Sequence, residues 1–170
     1  MKKVLVIFMA MMLVVPAFAQ KKSKAEKEAE LKQAYDMAIE CLNNRDWVLV
    51  PSSYTALDGT FENNIEDTYF LSAEKTQFFS QGSFVCGNSF TNVADGTEYE
   101  VTVDKKGRAT VILRVNGNYW KGTYKITVNP KGGNNADVIF NLRTVTPAGS
   151  AVRLSLWQVP STPRGQARSN

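Results

Sequence analysis

Apolar residues recur at helical spacing near the start of the chain. Ser23 and Glu26 form the capping-box pattern of a helix start, and Asn43-Asn44 is typical of a helix stop. Between these signals the apolar residues lie three or four apart; they are Leu31, Ala34, Tyr35, Ala38, Cys41 and Leu42. The pattern predicts one amphipathic helix from about Lys24 to Leu42, with an apolar stripe that must be buried.

Beyond Trp47 the helical spacing gives way to short segments rich in β-branched and aromatic residues. Gly, Asn, Asp or Pro bounds each segment, as is typical of strands. The segments are WVLV, TYFLSA, TQFFS, YEVTV, ATVILRV, YWKGTYKITV, DVIFNL and AVRLSLWQV. No second helix is indicated. We predict an α+β domain with one N-terminal amphipathic helix packed on a curved antiparallel β-meander of seven or eight strands, either an open sheet or barrel-like.

The two segments around Asp104-Lys105-Lys106-Gly107-Arg108 fit a hairpin with a three-residue loop and a left-handed glycine. That register places Glu98 opposite Arg114 and Glu100 opposite Ile112. Opposite charges across a sheet contribute roughly 0.2–1 kcal/mol per pair. The residues on the other face are all apolar; they are Tyr99, Val101, Val103, Ala109, Val111, Leu113 and Val115.

The next hairpin contains Asn116-Gly117, the typical sequence of a two-residue turn in which both residues have positive φ. With that turn, Leu113 faces Trp120 and Val111 faces Gly122, all on the apolar face. Trp120 is therefore predicted to lie in the core. A binding role for the Asn-Gly-Asn-Tyr-Trp loop is the alternative, but turn chemistry already explains its composition.

The opposite face of these strands mixes cationic and apolar side chains. Its candidate surface contacts are Arg114, Lys121, Lys125 and Trp157. Trp157 becomes a neighbour of Ile139 if the last hairpin turns at residues 147–149. Either the helix or the earlier strands cover this apolar spot, or it is a partner site.

The first nineteen residues have the layout of a secretory signal peptide. Lys2 and Lys3 precede an apolar run that ends before Pro16, and small residues flank a cleavage point before Gln20. We therefore expect the mature protein to be periplasmic or secreted. The apolar run is too short for a spanning helix, so we expect no stable membrane span after cleavage.

The remaining chain has the length of one domain. We expect a single α+β domain over residues 20–160, which is long enough to bury a sizeable core. Residues 161–170 lack apolar periodicity, and we expect them to form a flexible tail.

Charge is unevenly distributed along the chain, whose formal net charge is +4. From Asp46 to Asp104 the only base is Lys75, whereas from Lys105 onward the only acid is Asp137. The basic half suits an anionic partner such as a polysaccharide or a lipid headgroup. The alternative is that the two halves neutralise each other across the sheet.

Cys41 and Cys86 are the two cysteines, so one disulfide pairing exists. Export permits a disulfide, but nothing in the sequence supplies its geometry. The alternative is two buried thiols that pack as small hydrophobic groups.

Several chemistries are excluded by what the chain lacks. It contains no histidine, which removes Ser-His-Asp and Cys-His catalysis and His-ligated zinc. It also lacks GxGxxG and P-loop motifs, and we expect no cofactor. Nucleic-acid binding through Tyr119, Lys121, Arg114 and Arg108 is disfavoured by the expected export and by the acidic half.

Carboxylates are the catalytic groups that remain. Asp58, Glu62, Glu66 and Asp67 cluster in sequence, and Glu98 and Glu100 share a strand face; we interpret all six as surface charge. A glycosidase-type acid pair or a weak calcium site over residues 58–67 is the less favoured interpretation.

The order of elements resembles a known family. A signal peptide, one amphipathic helix and an Asn-rich joint into DWVLV precede a meander containing YEVTVDKKGRATVILRV and GTYKITVNPKGGNNADVIF. Over roughly Glu28 to Pro160 this order resembles DUF4251, a secreted domain family of unknown function from Gram-negative gut-type bacteria. The resemblance implies an envelope location and an α+β sheet fold, and it implies no activity.

Three functions fit these observations. The favoured one is a periplasmic, non-enzymatic binding or interaction module, for which a cell-envelope protein and a small apolar ligand are the candidate partners. The second is a lipocalin-like carrier of a small apolar ligand, lined by Tyr99, Trp120, Tyr124 and Phe140. The third is a carboxylate-based hydrolase. The first is preferred because the chain lacks the usual catalytic groups and carries an aromatic-rich, charge-split sheet.

Overall fold

The computed structural model describes residues 23–56, 58–63, 65 and 68–142, together with the backbone of 152–158. The predicted signal peptide, the predicted tail and the predicted turn at residues 147–149 lie outside these ranges. Within the described ranges, no helix is both long enough and apolar enough to cross a membrane.

Helix α1 (Lys24–Asn44) begins and ends close to the predicted positions. The Ser23 side chain accepts a hydrogen bond from the Glu26 amide, and the Glu26 side chain accepts one from the Ser23 amide. This reciprocal pair satisfies amides that have no partner inside the helix. The apolar stripe is buried only in the second half of α1, and residues 24–33 are exposed.

The strands form one antiparallel sheet within the described residues. They are β1 (Asp46–Leu49), β2 (Tyr54–Thr55), β3 (Phe61–Glu62), β4 (Phe70–Glu74), β5 (Gln77–Gly82), β6 (Asn88–Val103), β7 (Ala109–Asn116), β8 (Lys121–Val128), β9 (Asn135–Leu142) and β10 (Val152–Gln158). The spatial order is β1-β4-β5-β6-β7-β8-β9-β10-β2-β3. The predicted α+β meander is confirmed. The count exceeds seven or eight because β2 and β3 are two-residue strands with no sequence signal.

The sheet curls, and α1 fills its concave side. Cα atoms of β1 and β10 approach within 8 Å of each other. Tyr35, Ala38, Cys41 and Leu42 of α1 belong to the same buried cluster as the inward side chains of the strands. The alternating burial of β7 and β8 follows from the two-residue period of a strand.

The β6–β7 hairpin has the predicted register. Glu98 lies opposite Arg114 and Glu100 lies opposite Ile112. The Asp104 amide donates to the Arg108 carbonyl at 3.0 Å, and Gly107 has φ 78°. The three-residue loop and its left-handed glycine are confirmed.

The predicted two-residue turn between β7 and β8 is wrong. Leu113 lies opposite Tyr124 rather than Trp120, and residues 117–120 form a longer loop closed by a hydrogen bond from Gly117 to the Trp120 carbonyl. Neither Asn116 nor Gly117 has positive φ. The glycine is instead explained by close packing, because an added Cβ would lie 2.8 Å from the Val93 carbonyl oxygen.

The error in register shifts the pairing by an even number of residues. Each side chain therefore keeps its predicted face, since the faces of a strand alternate. Trp120 lies in the core with no exposed surface, as predicted.

The segment between β5 and the end of β6 also departs from the sequence prediction. Ser83–Cys86 form a short helical turn, α2, where no second helix was predicted. Strand β6 extends from Asn88, and it has a bulge between Gly96 and Glu98. Polar residues and glycines in this stretch concealed the strand, because they lack the alternating pattern.

The pairing of β10 with β9 differs from the predicted contact between Trp157 and Ile139. Ile139 lies opposite Arg153, whereas Trp157 lies opposite Ala136 beyond an irregularity in the pairing. Trp157 is therefore not the cross-strand partner of Ile139.

Candidate functional site

The outer face of β6–β9 is not covered by α1, which lies on the concave side. Ile139 in β9 is 47% exposed. Its pairing neighbour Lys125, in β8, is also exposed. The Ile139 part of the predicted apolar spot is therefore open to solvent among the described residues.

A depression of about 490 Å³ lies on this face, where the β6 bulge meets the β7–β8 loop. Its lining residues are Thr97, Arg114, Val115, Asn116, Lys121, Gly122 and Thr123. The Thr97 hydroxyl donates to the Arg114 carbonyl at 3.2 Å, which holds the bulge against β7. The lining combines two cations with hydroxyl and amide groups, and it suits a polar or anionic ligand group.

An exposed aromatic pair includes Tyr119 of the β7–β8 loop, whose flanking residues Asn116 and Lys121 line the depression. The rings of Phe90 and Tyr119 meet edge to face, with centroids 5.9 Å apart. Tyr119 is 76% exposed and Phe90 is 52% exposed, and Val93 in β6 is 53% exposed. We call the depression together with Phe90, Val93 and Tyr119 the outer-face site. Exposed aromatic side chains beside cations are enriched where proteins bind partners.

Two of the predicted surface contacts lie in this site, and a third lies outside it. Arg114 and Lys121 line the depression. Lys125 lies further along the same face, opposite Ile112 and Ile139. For Trp157, only its backbone position in β10 is described.

Arg114 is also held by a predicted ion pair. Its guanidinium lies 3.1 Å from the Glu98 carboxylate, across β6 and β7. This pair, together with Arg108 and Asp104 at 3.0 Å, joins the acidic and basic halves of the chain. Neutralisation across the sheet therefore accounts for part of the uneven charge.

The four aromatic residues proposed to line a ligand cavity pack against other protein groups. Trp120 and Phe140 each lie against the Tyr124 ring, at centroid distances of 6.0 and 5.3 Å. The Tyr124 hydroxyl accepts from the Trp120 indole and donates to the Val85 carbonyl, both at 2.6 Å. Burial raises the pKa of Tyr124, so this hydroxyl stays protonated.

Tyr99 lies apart from these three and anchors the end of α1. Its hydroxyl donates to the Leu42 carbonyl at 2.6 Å and accepts from the Trp47 indole at 3.0 Å. The Arg45 guanidinium stacks over its ring, 4.7 Å from the centroid. Burial raises the pKa of Tyr99 to about 12, against smaller opposing effects of Trp47 and Arg45.

The two cysteines are separate buried thiols and do not form the disulfide considered from the sequence. The Cys86 thiol donates to the Gly82 carbonyl at 3.3 Å inside α2, while Cys41 lies on the buried stripe of α1. Burial raises the pKa of both thiols, which disfavours the reactive thiolate.

The acidic residues considered for catalysis are dispersed where the structure describes them. Asp58 is fully exposed, and hydrogen bonds from Thr60 lower the pKa of its carboxyl group. Glu62 and Glu100 are exposed, and Glu98 pairs with Arg114. Glu66 and Asp67 lie outside the described residues. Among the residues that are described, no group of three or more acidic or cysteine side chains is arranged to hold a metal ion.

Sequence reasoning missed the part of the site contributed by the first half of β6. Phe90, Val93 and Thr97 lie in a stretch that no strand pattern identified. Asn-Ser-Phe-Thr-Asn-Val carries a weak signal, since Phe90, Thr91 and Val93 are residues of high β-propensity within a short window.

Comparison with solved structures identifies a similar fold. The crystal structure of a DUF4251 family protein from Bacteroides eggerthii DSM 20697 matches with a TM-score of 0.60 and 18% sequence identity. The match covers 83% of this chain and 94% of that chain. The resemblance to DUF4251 inferred from the order of elements is thus confirmed for the fold. No protein-family model and no curated protein matches the chain.

Proposed function

We propose that this protein is an exported, non-enzymatic binding module that contacts a cell-envelope protein through the outer-face site. The observation that carries the proposal is the exposed pair of Phe90 and Tyr119, together with a depression that is lined by two cations and by the residues flanking the Tyr119 loop. Exposure of large aromatic side chains to water is unfavourable, and a partner that buries them lowers the free energy.

Export is the second part of the proposal. It is supported by the basic start, the apolar run and the small residues that precede Gln20. Amino-terminal sequencing of the protein recovered from the periplasm of a Gram-negative host tests it. A mature chain that begins at Gln20 is the expected result. An uncleaved protein that stays in the cytoplasm would contradict export.

Site-specific photo-cross-linking tests the binding surface. A benzophenone amino acid replaces Tyr119 in one variant and Phe61 in a control variant. Phe61, in β3, is also an exposed aromatic residue, at 58%, so the control matches the probe in chemistry and exposure. We expect one discrete envelope-protein adduct from position 119 and none from position 61.

A third variant makes the test specific to the site. Lys121→Ser in the Tyr119 probe background removes a lining cation without touching the core, because Lys121 is exposed. We expect the adduct to weaken. Equal adducts from positions 119 and 61, or no adduct from 119 in the exported protein, would contradict the proposal.

The carrier alternative receives less support from the geometry. Helix α1 occupies the concave side of the sheet, and Trp120, Tyr124 and Phe140 pack on one another there. A native mass spectrum of the purified mature protein separates the two functions. A bound small molecule that is lost on denaturation would favour the carrier, and an unliganded mass favours the binding module.

A further inference from the structure

A second surface, at the end of the sheet nearest the middle of α1, carries a local excess of positive charge. Lys105, Lys106 and Arg108 lie in or beside the β6–β7 loop, and Lys131 lies in the turn between β8 and β9. All four are exposed. A depression of about 380 Å³ lies between the two loops, and its lining residues are Asp104, Lys106, Arg108, Asn129, Pro130 and Lys131.

The single carboxylate of this lining is already engaged. Asp104 accepts hydrogen bonds from the backbone amides of Lys106 and Arg108 at 2.8 and 2.9 Å. The Arg108 guanidinium also binds the Asp104 carboxylate at 3.0 Å. These contacts lower the pKa of Asp104 and pair its charge with Arg108. The ammonium groups of Lys106 and Lys131 therefore remain available to an anion.

Helix α1 holds both loops in place. The Tyr35 hydroxyl donates to the Gly107 carbonyl in the first loop. Leu31 packs closely on the second loop, since an added Cβ at Gly133 would lie 3.1 Å from its Cδ2 atom. The loops also touch each other through Gly107 and Pro130. Fixed loops bring the cations together before a ligand arrives, which lowers the cost of ordering them.

The part of α1 that faces this end adds no opposing net charge near Tyr35. Lys32 and Asp36 form an ion pair at 2.6 Å and compensate each other. The cationic character of the depression therefore comes from the two loops. Two ammonium groups, one guanidinium and the Asn129 amide can donate to several oxygens of one ligand group, which is the pattern that a tetrahedral oxyanion requires.

We propose that this depression binds the phosphate group of a phosphate ester. The site is separate from the outer-face site, so the two proposals stand independently. A soluble ester and a phospholipid headgroup both present this group to Lys106, Lys131 and Asn129, and the test below distinguishes the two sources. Pro130 and the aliphatic parts of the lysine side chains would contact the organic part of the ester.

Nuclear magnetic resonance titration of the purified mature protein tests the proposal. The soluble probe is glycerol 3-phosphate, with glycerol as its uncharged analogue at matched ionic strength. We expect the backbone amide signals of Lys106, Asn129 and Lys131 to shift with glycerol 3-phosphate and not with glycerol. Flotation with vesicles of phosphatidylglycerol in phosphatidylcholine, compared with phosphatidylcholine alone, examines the headgroup.

Two double variants distinguish binding at a local site from a general effect of net charge. Lys106→Gln with Lys131→Gln removes the two available cations and leaves the Asp104–Arg108 pair intact. Lys27→Gln with Lys75→Gln removes the same charge from exposed positions elsewhere. Since each base near an anionic group typically strengthens binding several-fold, we expect the first variant to weaken binding by about tenfold or more and the second to have little effect.

The source of the phosphate follows from which probe binds. Binding of glycerol 3-phosphate alone assigns a soluble ester, and binding of the vesicles alone assigns a headgroup. Binding of both probes supports recognition of the phosphate group itself. Shifts no larger than those with glycerol, together with no binding to anionic vesicles, would overturn the proposal. Equal weakening by the two double variants would overturn it as well, because binding would then reflect net charge.

Discussion

The two faces of the central sheet differ although the same strands build both. In β7, the inward residues Val111 and Leu113 have no exposed surface. Arg114, the next residue along the strand, lies on the other face and is exposed to solvent. The inner face contacts α1 and the aromatic cluster, and its side chains are fixed by packing. Among the described residues, the outer face is held by backbone hydrogen bonds and by the Glu98–Arg114 ion pair across β6 and β7. Stability therefore depends on one face, while the other is available for binding.

The largest expected effect follows from truncating the inner face. Trp120→Ala removes a fully buried indole and leaves the Tyr124 hydroxyl without its donor. We expect a loss of about 3–5 kcal/mol in the free energy of unfolding, measured by urea denaturation. The neighbouring Tyr119→Ala, at an exposed position, serves as the control and should change stability little. Comparable losses in the two variants would break the distinction between the faces.

A pH titration examines the inner face at the end of α1. Folded Tyr99 keeps its proton to about pH 12, while an unfolded tyrosine loses it near pH 10. The contribution of protonated Tyr99 to the stability of the fold is therefore fully present below pH 10. Between the two values the unfolded state binds fewer protons, so stability falls as pH rises, by on the order of 2 kcal/mol.

Urea denaturation at several pH values from neutral to strongly alkaline measures this slope. Tyr99→Phe provides the comparison, because it cannot titrate. It should lower stability at neutral pH, through lost hydrogen bonds to Leu42 and Trp47, and flatten the alkaline decline. An unchanged slope in this variant would assign the decline to other groups.

A substitution at one exposed position, Gly96, is expected to destabilise the fold as substitutions on the inner face do. Gly96 lies at the β6 bulge, and an added Cβ would lie 2.4 Å from the buried ring of Phe78. Gly96→Ala should therefore destabilise the fold by about 1–3 kcal/mol, because the ring must move within a packed core. Gly132→Ala is the matched control, since its nearest neighbouring atom would lie 4.0 Å away. Thermal unfolding of both variants measures the difference.

The smallest effect is expected on the outer face. Arg114 and Glu98 form an ion pair in which both side chains are partly exposed to solvent. Arg114→Ala should cost about 0–1 kcal/mol, and less at high salt, because exposed ion pairs are screened by water and ions. A double-mutant cycle with Glu98→Ala isolates the pair. A coupling energy well above this range would show that the outer face also contributes to stability.

The parts of the fold that could be predicted are those with strict periodicity. The bounds of α1 and the register of β6 with β7 follow from capping residues, alternation and a glycine-containing loop. The β7–β8 loop was mispredicted because Gly117 is required for close packing against Val93, and no local pattern distinguishes that need from positive φ. The faces were still correct, because alternation is insensitive to an even shift.

The candidate site was predictable only in part. Arg114 and Lys121 were identified because alternation assigns them to the outer face. Phe90 and Val93 come from a distant stretch of β6, and the contact of Phe90 with Tyr119 depends on tertiary packing that no local pattern reveals. Two-residue strands such as β2 have no periodicity to detect.

The length of β6 has a consequence for how the protein yields under stress. Its first half pairs with β5 and its second half pairs with β7, and one continuous backbone joins the two ladders. If either β5 or β7 detaches, it exposes backbone groups of β6, the strand with which the other still pairs. We therefore expect β5, β6 and β7 to open as one cooperative unit, with their amides sharing a single opening free energy in hydrogen exchange.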